Sequence, residues 1–473
     1  MAGITSLGVY LPVYRLSREE VARVWQGRGG GGGRAVAGYD EDTITMAVAA
    51  TLDCLKGSQS QADGLYLATT TAPYREKQSA AVIAAAADLA DACRTADFTD
   101  SLRAGTAAMR AALDAVAAGS ARQVIVTAAD SRPAAAKGNL ELTLGDGAAA
   151  MTIGADNVIA EIEGGYSLYN DFTDYWRTED DKYLRSTEGR FIDEAGYYPT
   201  MQAAIEGCLK KAKITISDIS KYVYHAADGR QHAGLARRLK LDKDRVQAPL
   251  YEQIGNTGTA AIFLMLAAAL ETTKAGERIL LAGYGDGADA FILKATDKIK
   301  NIQKKPVITP GLAGKTAIGY GQYLTWRGLV PVEASTLPER PAISLPARWR
   351  ERKAVAALYG AKCKKCGTPQ ISQIGQAPRV CVNCQAKDQF EPYKFSDKKG
   401  TLFSYAIDRL QPTLNPPGVN GVVDFAGGGR IICELTDCPP EQARVGLPVV
   451  MTYRKMFTSR GINNYFWKAM PAD

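Results

Sequence analysis

Residues 144–151 read LGDGAAAM, and residues 284–291 read YGDGADAF. Two glycines around an aspartate, leading into an apolar run, make a turn: Gly supplies backbone angles that other residues resist, and Asp caps nearby amides. The same wording 140 positions apart raises the question of duplication. Three more blocks recur in the same order. TMAVAATLDCLK begins at Thr45 and TMQAAIEGCLKK at Thr200, 155 positions on, and both are amphipathic helical patterns. DGLYLATT carries a buried strand at Leu65 to Leu67, and KYVYHAA carries one at Tyr222 to Tyr224. RAGTAAMRAALDAVAAGSARQVIVTAA and NTGTAAIFLMLAAALETTKAGERILLAG each give a small-residue helix start, a long helix, a turn and a β-branched strand; Gly105 and Gly258 stand 153 apart. Each half therefore runs helix, strand, turn, helix, strand, Gly-Asp-Gly and strand, a layered α/β fold with two halves about a pseudo-twofold axis.

Length and composition agree with a large soluble protein. A chain of 473 residues exceeds one ordinary domain, and 46% apolar with 23% charged residues is globular composition. The start MAGITSLGVYLPVYRL lacks a basic segment followed by a long apolar run, and TAAIFLMLAAAL is too short to span a bilayer. The expectation is a cytoplasmic protein with no membrane partner. The +7 charge is spread without a basic block, which suits a phosphate-bearing ligand as well as nucleic acid. Four of the nine cysteines form two CxxC pairs, which reads as a metal site in a reducing compartment.

Function is sought where the halves differ. After its first strand, half one reads ATTTAPY and half two HAADGRQ, so His225 stands at a strand's C-terminal end, a usual place for ligand-facing groups. The only other histidine, His232, falls on a polar helical stretch and reads as surface. The two long helices begin at DSLRAGTAA and QIGNTGTAA, and both helix starts favour anionic or oxyanionic groups. Asn256 reads either as an N-cap or as a ligand-facing amide.

These features, with GVYLPVYRLSREEVARVW, DEDTITMA, DYWR (Asp174 to Arg177), EGRFIDEAGYYPTM and IGNTGTAA, resemble the thiolase superfamily, and within it the microbial hydroxymethylglutaryl-CoA synthases. The resemblance spans roughly residues 3 to 300. It implies a duplicated thiolase fold with five αβαβα layers, an acyl-CoA substrate and a homodimer, with room for a further thiolase-type subunit. That family's nucleophile motif is approximately AC(K/R)AGT; SLRAGT here puts Leu102 at the cysteine. The family's GSESHPY loop supplies a general-acid Glu, and ATTTAPY puts Thr70 there. His225 and Asn256 match the family's His and Asn, although HQPN has become HAAD. Leucine cannot be acylated, so a thioester intermediate at residue 102 is excluded in this register. Ser101 is one residue away, while Cys54, Cys93 and Cys208 sit in helical patterns and read as buried hydrophobes. What remains, a His and an Asn on a thioester oxygen, stabilises an enolate, as aldol and retro-aldol chemistry require. Nucleophile-free relatives that work with a zinc-ribbon/OB partner include acyl-CoA retro-aldolases. Asp228 and Asp286 are candidate bases, or simply turn residues.

From residue 301 to 350 the chain is Pro-rich connector, with GYGQYLTWRGLVP inside it. Cys363, Cys366, Cys381 and Cys384 follow as CxxC, fourteen residues, CxxC, a spacing that closes a structural tetrahedral zinc site without a free position for catalysis. GTLFSYAIDRL, GVNGVVDFAGGGRIICELTD and LPVVMTYRKM alternate apolar and polar residues with glycine turns, as an OB-type barrel does. Few aromatics and mixed charge argue against nucleic acid. The expected layout is two thiolase-like halves, 1–160 and 161–300, connector 301–350, zinc ribbon 351–392 and OB-fold 393–473. The function expected is formation or cleavage of a carbon-carbon bond on an acyl-CoA by aldol or retro-aldol chemistry. A synthase or thiolase with a displaced nucleophile, and a silent CoA-binding or scaffold subunit, remain open.

Overall fold

The computed structural model describes residues 1–27, 30–57, 62–313, 316–333, 344–371 and 378–472. Part of the connector, 334–343, and Gly29 of the glycine run 29–33 lie outside the described residues. Two compact units result: Met1–Gly38, Asp42–Ala84 and Leu89–Leu324 form one, and Tyr39–Glu41, Ala85–Asp88 and Thr325–Asp473 the other.

The first unit holds a nine-stranded sheet. Its strands are β1 (Gly3–Tyr10), β2 (Gly64–Ala68), β3 (Arg94–Phe98), β4 (Gln123–Ser131), β5 (Asp146–Gly154), β6 (Ala160–Tyr169), β7 (Lys221–Tyr224), β8 (Arg278–Tyr284) and β9 (Gly287–Ala295). The order across the sheet is β7-β8-β9-β6-β1-β5-β4-β2-β3. Apart from the edge strand β3, that order is a palindrome: β2, β4, β5 and β1 of half one mirror β7, β8, β9 and β6 of half two. Pairing types mirror as well, with β2–β4 and β7–β8 parallel, and β4–β5 and β8–β9 antiparallel. Within the sheet the halves meet where β1 pairs with β6, Gly3 with Glu161 and Ile4 with Ala160. The repeated blocks thus occupy equivalent places in a mixed α/β thiolase-like fold.

Helices α1 (Thr43–Leu55), α2 (Ala104–Ala117), α3 (Tyr198–Ala212), α4 (Gly229–Arg238) and α5 (Ala261–Thr272) complete the scaffold. Helix α1 starts at a capping box in which the Asp42 side chain accepts from the Thr45 amide at 3.0 Å. It lies so close to β1 that a Cβ on Gly8 would sit 2.1 Å from the Cys54 nitrogen. Helix α5 is apolar on every side, and Ile262 through Ala267 are all buried, which marks an interior helix. Within the glycine run, Gly33 begins a strand, Gly33–Val36, paired with Tyr14–Ser17, and the Gly32 carbonyl accepts from the Arg18 amide at 3.1 Å. The glycine run is therefore anchored at that end.

The Gly-Asp-Gly turns brace the opposite half. The Gly145 amide donates to the Asn256 carbonyl at 2.9 Å, and the Asn256 amide donates to the Thr143 carbonyl at 2.7 Å. A Cβ on Gly145 would fall 1.8 Å from the Ile254 carbonyl oxygen. A Cβ on Gly285 would fall 2.8 Å from both the Arg103 nitrogen and the Ser101 hydroxyl. Each turn thus packs against the helix start contributed by the other half.

The second unit contains a small ribbon and a closed five-stranded barrel. Tyr359–Cys363 pairs with Pro369–Gln370 and with Phe390–Lys394. The barrel uses Gly400–Asp408, Gly418–Phe425, Arg430–Leu435, Ile462–Pro471 and Pro448–Ser459 in that spatial order. Leu402, Val423, Val449 and Trp467 fill its interior. Buried Lys468 is compensated at 2.7 Å by Glu434, and buried Arg454 pairs with Asp437.

The turn packing predicts a clear contrast. Gly145→Ala forces a methyl into a backbone carbonyl and is expected to cost at least about 3 kcal/mol or abolish folding. Gly229→Ala, with nothing within 4 Å of its Cβ, is expected to be neutral or better. Urea midpoints for the two variants decide it; a Gly145→Ala protein within about 1 kcal/mol of the parent would refute the bracing.

Candidate functional site

His225 follows β7 directly, and five backbone anchors fix its loop. Its amide donates to the Ala282 carbonyl at 3.0 Å, and its carbonyl accepts from the Tyr197 hydroxyl at 2.7 Å. The Ala226 amide donates to the Tyr251 hydroxyl at 2.9 Å. The Asn256 side-chain nitrogen donates to the Ala226 and Ala227 carbonyls, both at 3.2 Å. Asn256 also accepts from the Gly258 amide at 3.0 Å, so it caps the second-half helix start and clasps the histidine loop at once. His225 and Asn256 are brought together as neighbours. The imidazole is buried, and neither ring nitrogen has a hydrogen-bond partner of ordinary geometry among the described residues. Burial, with help from the Arg132 charge, pushes its pKa down to about 4, against a smaller opposing pull from the Asn256 side chain. His225 is therefore neutral at pH 7.

His232 is not the surface residue its polar helix suggested. It lies on α4, is buried, and stacks on the Tyr224 ring at 4.2 Å with planes 17° apart. Its surroundings are apolar because α4 turns that face onto β7, and burial pushes its pKa down to about 4.

Of the other candidates, Asp228 is half-buried and caps α4, accepting from the Gln231 amide at 2.8 Å. Asp286 is exposed, at the turn between β8 and β9, with φ of 46°. Leu102 and Ser101 lie half-buried just before α2, and the Ser101 hydroxyl accepts from the Arg103 amide at 3.3 Å. Thr70 donates its amide and hydroxyl to Asp130. Cys54 and Cys208 are buried, on α1 and α3, and burial raises both thiols, Cys208 to about 11. Cys93 departs from the helical reading: it sits in a turn, half-buried, just before β3.

Three residues with no motif of their own also belong here. Asp130, at the end of β4, is fully buried and accepts from Thr69, Thr70, Thr71 and the Thr259 amide. Arg132 is buried two residues later, its guanidinium 5.8 Å from the centre of the Tyr175 ring. Asp174 is buried too, and burial raises its carboxyl despite hydrogen bonds from the Tyr175 amide, at 2.6 Å, and the Tyr284 hydroxyl. Only the DYWR match touched one of them in the sequence.

In the second unit, the Cys363, Cys366, Cys381 and Cys384 sulfurs all lie within 4.8 Å of one another. Cys363 and Cys384 are 3.7 Å apart, and Cys366 and Cys381 3.5 Å. These separations exceed a disulfide and approach the edges, about 3.8 Å, of a tetrahedron with metal–sulfur bonds of about 2.3 Å. The Cys366 thiol is pulled down to about 6, chiefly by hydrogen bonds from Thr368. The cluster could hold a metal.

A palindromic sheet with a histidine loop and an asparagine-bearing helix start defines the thiolase class of fold. Over 342 residues the chain is 33% identical to the hydroxymethylglutaryl-CoA synthase of Methanothermobacter thermautotrophicus, covering 69% of this chain and 99% of that one. It is 34% identical over 341 residues to the enzyme of the same name from Methanocaldococcus jannaschii, covering 69% and 99%. The chain belongs to the hydroxymethylglutaryl-CoA synthase family. Residues 209–294 match the family of 3-oxoacyl-[acyl-carrier-protein] synthase III C-terminal domains, and residues 393–454 that of the ChsH2 C-terminal OB-fold domain. The fold is similar to a crystal structure of a hydroxymethylglutaryl-CoA synthase complexed with CoA (TM-score 0.64, 20% identity, 68% of this chain and 89% of that one). It is also similar to 3-oxoacyl-(acyl carrier protein) synthase III from Pseudomonas aeruginosa PAO1 (TM-score 0.58, 21% identity, 62% and 98%). No helix among the described residues is long and apolar enough to cross a membrane.

The two neutral histidines carry a pH signature. Between about pH 6.5 and 4 the unfolded chain binds protons at both that the folded chain does not, so stability falls as pH drops through that window, by up to about 1.4 kcal/mol per pH unit per histidine. His232→Phe keeps an aromatic ring on Tyr224 and is expected to remove one histidine's share of the slope in urea midpoints measured from pH 7 to 4.5. An unchanged slope would mean that His232 is protonated in the folded protein.

Proposed function

We propose that this chain makes or breaks a carbon-carbon bond beside a CoA thioester without ever carrying the acyl group. The observation that carries the reading is a buried, neutral His225 whose ring nitrogens have no hydrogen-bond partner of ordinary geometry among the described residues, its loop clasped by Asn256, in a chain whose Leu102 cannot be acylated. In the cleaving direction a carboxylate takes the proton from a β-hydroxyl and the Cα–Cβ bond breaks. Its electron pair enters the thioester as an enolate, the β-carbon leaves as an aldehyde or ketone, and Cα then takes a proton. The His225 ring N–H holds the thioester oxygen while it gains charge, and Asn256, donating to the Ala226 and Ala227 carbonyls, holds the histidine loop in place.

Among the aspartates, Asp174 suits the base. It is buried and its carboxyl is raised by that burial, whereas Asp228 is committed to a helix cap and Asp286 lies at an exposed turn. Ser101 is a poor substitute nucleophile, since its hydroxyl caps Arg103 and no imidazole or carboxylate is hydrogen-bonded to it. Cys54 and Cys208 are protonated thiols beneath helices. Zinc on the four cysteines is structural in this reading, a homodimer is the expected assembly, and the thiols suit a reducing compartment.

Incubation with acetyl-CoA and a panel of β-hydroxyacyl-CoAs, followed by intact mass and carbonyl trapping, tests the chemistry. We expect no covalent adduct, release of an aldehyde or ketone, and at least about 100-fold loss in His225→Ala. A stable acyl adduct mapped to one Ser or Cys would establish a relocated nucleophile; CoA binding with neither adduct nor carbonyl would establish a silent subunit. Independently, purified protein is expected to contain about one zinc per chain, lost in Cys381→Ser together with stability. Metal content near zero in folded protein would remove the zinc assignment.

A further inference from the structure

Neither the repeat nor the resemblance brings out Arg132. It follows Asp130 and Ser131 just past the C-terminal end of β4, and Asp130 accepts from the Thr259 amide of the helix start whose Asn256 clasps the His225 loop. Its side chain is buried, with 5% of the residue exposed, yet its guanidinium makes no hydrogen bond or ion pair with any described residue. The Tyr175 ring centre lies 5.8 Å from its guanidinium, and the Asp130 and Asp174 carboxyls act on it through space. The aspartate two residues away does not neutralise it by pairing: one Asp130 oxygen takes the Thr69, Thr70 and Thr71 donors, and the other takes the Thr259 amide at 2.8 Å.

A buried, unpaired cation costs several kcal/mol unless something anionic arrives to meet it. The nearby imidazole is in the complementary condition, with both nitrogens buried and partnerless. The Arg132 charge reaches it, lowering its affinity for a proton. Arg132 and His225 thus belong to one neighbourhood, joined through the Asp130–Thr259 and Asn256–Ala226 hydrogen bonds.

We propose that Arg132 is a second oxyanion donor, taking with His225 the negative charge that develops on the thioester oxygen when a bond to Cα breaks. The inference rests on the enolate reading above and adds to it a permanent cation, where a neutral imidazole supplies only a dipole. Arg132 touches the oxygen, so it is a catalytic residue in this assignment. The ligand is a thioester enolate, and no carboxylate on the acyl chain is required.

Enolate formation can be followed without knowing the β-substituent. Acetyl-CoA in D2O exchanges its α-hydrogens when Cα–H breaks, the electron pair becomes the enolate, the proton passes to the Asp174 carboxylate and from there to solvent, and a deuteron returns to Cα. Full-length wild-type protein is expected to catalyse this exchange, read by mass spectrometry. Arg132→Gln is expected to lose at least about 100-fold in exchange rate while CoA affinity changes by less than about threefold. Arg132→Lys is expected to recover part of the rate, and methylguanidinium part of the activity of Arg132→Ala, responses a purely structural role would not give. In a His232→Phe background the single remaining imidazole, titrated by NMR, is expected to gain proton affinity in Arg132→Gln.

Exchange by Arg132→Gln at the wild-type rate would overturn this role and leave the enolate reading standing. Loss confined to CoA affinity, or confined to acyl-CoAs that bear a carboxylate, would make Arg132 a substrate anchor instead. No exchange by wild-type protein that binds CoA would overturn the enolate reading itself, and Arg132's role with it.

Discussion

The Asp130 carboxylate is fully buried and accepts hydrogen bonds from two places that the sequence keeps far apart: the Thr69–Thr71 loop after β2 and the Thr259 amide at the second-half helix start. An ionised carboxylate in that position demands donors, and leaving it short would cost more than the several modest bonds contribute singly. The backbone is shaped to reach it. Gly258 has φ of 64°, and a Cβ there would lie 2.3 Å from an Asp130 oxygen, so only glycine lets the helix start approach. The Asn256 clasp on the histidine loop is three residues upstream of Thr259, and its position follows from the same constraint. Thr70 is fixed likewise, with its hydroxyl committed to Asp130 and not to a ligand.

Duplication explains why the scaffold could be read from the sequence. A repeat in helices, strands and Gly-Asp-Gly turns, in one order, permits a small set of sheet arrangements, and the palindrome β7-β8-β9-β6-β1-β5-β4-β2 is one. The zinc-type spacing was equally legible, because two CxxC knuckles bring four sulfurs together whatever surrounds them. His225 and Asn256 were legible as departures from the repeat.

The rest of the site was not legible, for physical reasons. Asp130 and Arg132 lie in an ordinary strand end, and their meaning arises only when β4 meets loops more than fifty residues away in either direction. His232 misled because composition reports a helix's polarity, whereas burial depends on which face is turned inward; α4 has a polar sequence and a buried Gln231, His232 and Leu235. Gly-Asp-Gly was readable as a turn, but its bracing of the opposite half's helix start required the fold.

Charge then determines what the site can favour. Leu102 and Thr70 bring no charge where a nucleophile and an acid would stand in the resembling family, and Asp130 is spent on its donors. Burial favours the neutral form at both His225 and Asp174. Arg132 is left as a buried cation with no countercharge in hydrogen-bond contact among the described residues, although the Asp130 and Asp174 carboxyls act on it through space. A neutral thioester feels such a cation weakly, whereas an enolate feels it fully, and more so where water is excluded. Interactions that grow between ground state and transition state are those that accelerate a reaction, and a cation already in place needs no reorganisation as the charge appears. In the proposed reading a site without a nucleophile and a buried arginine belong together. A site that does not hold its substrate covalently would have to stabilise the anion by field, and Arg132 is the group proposed to supply it.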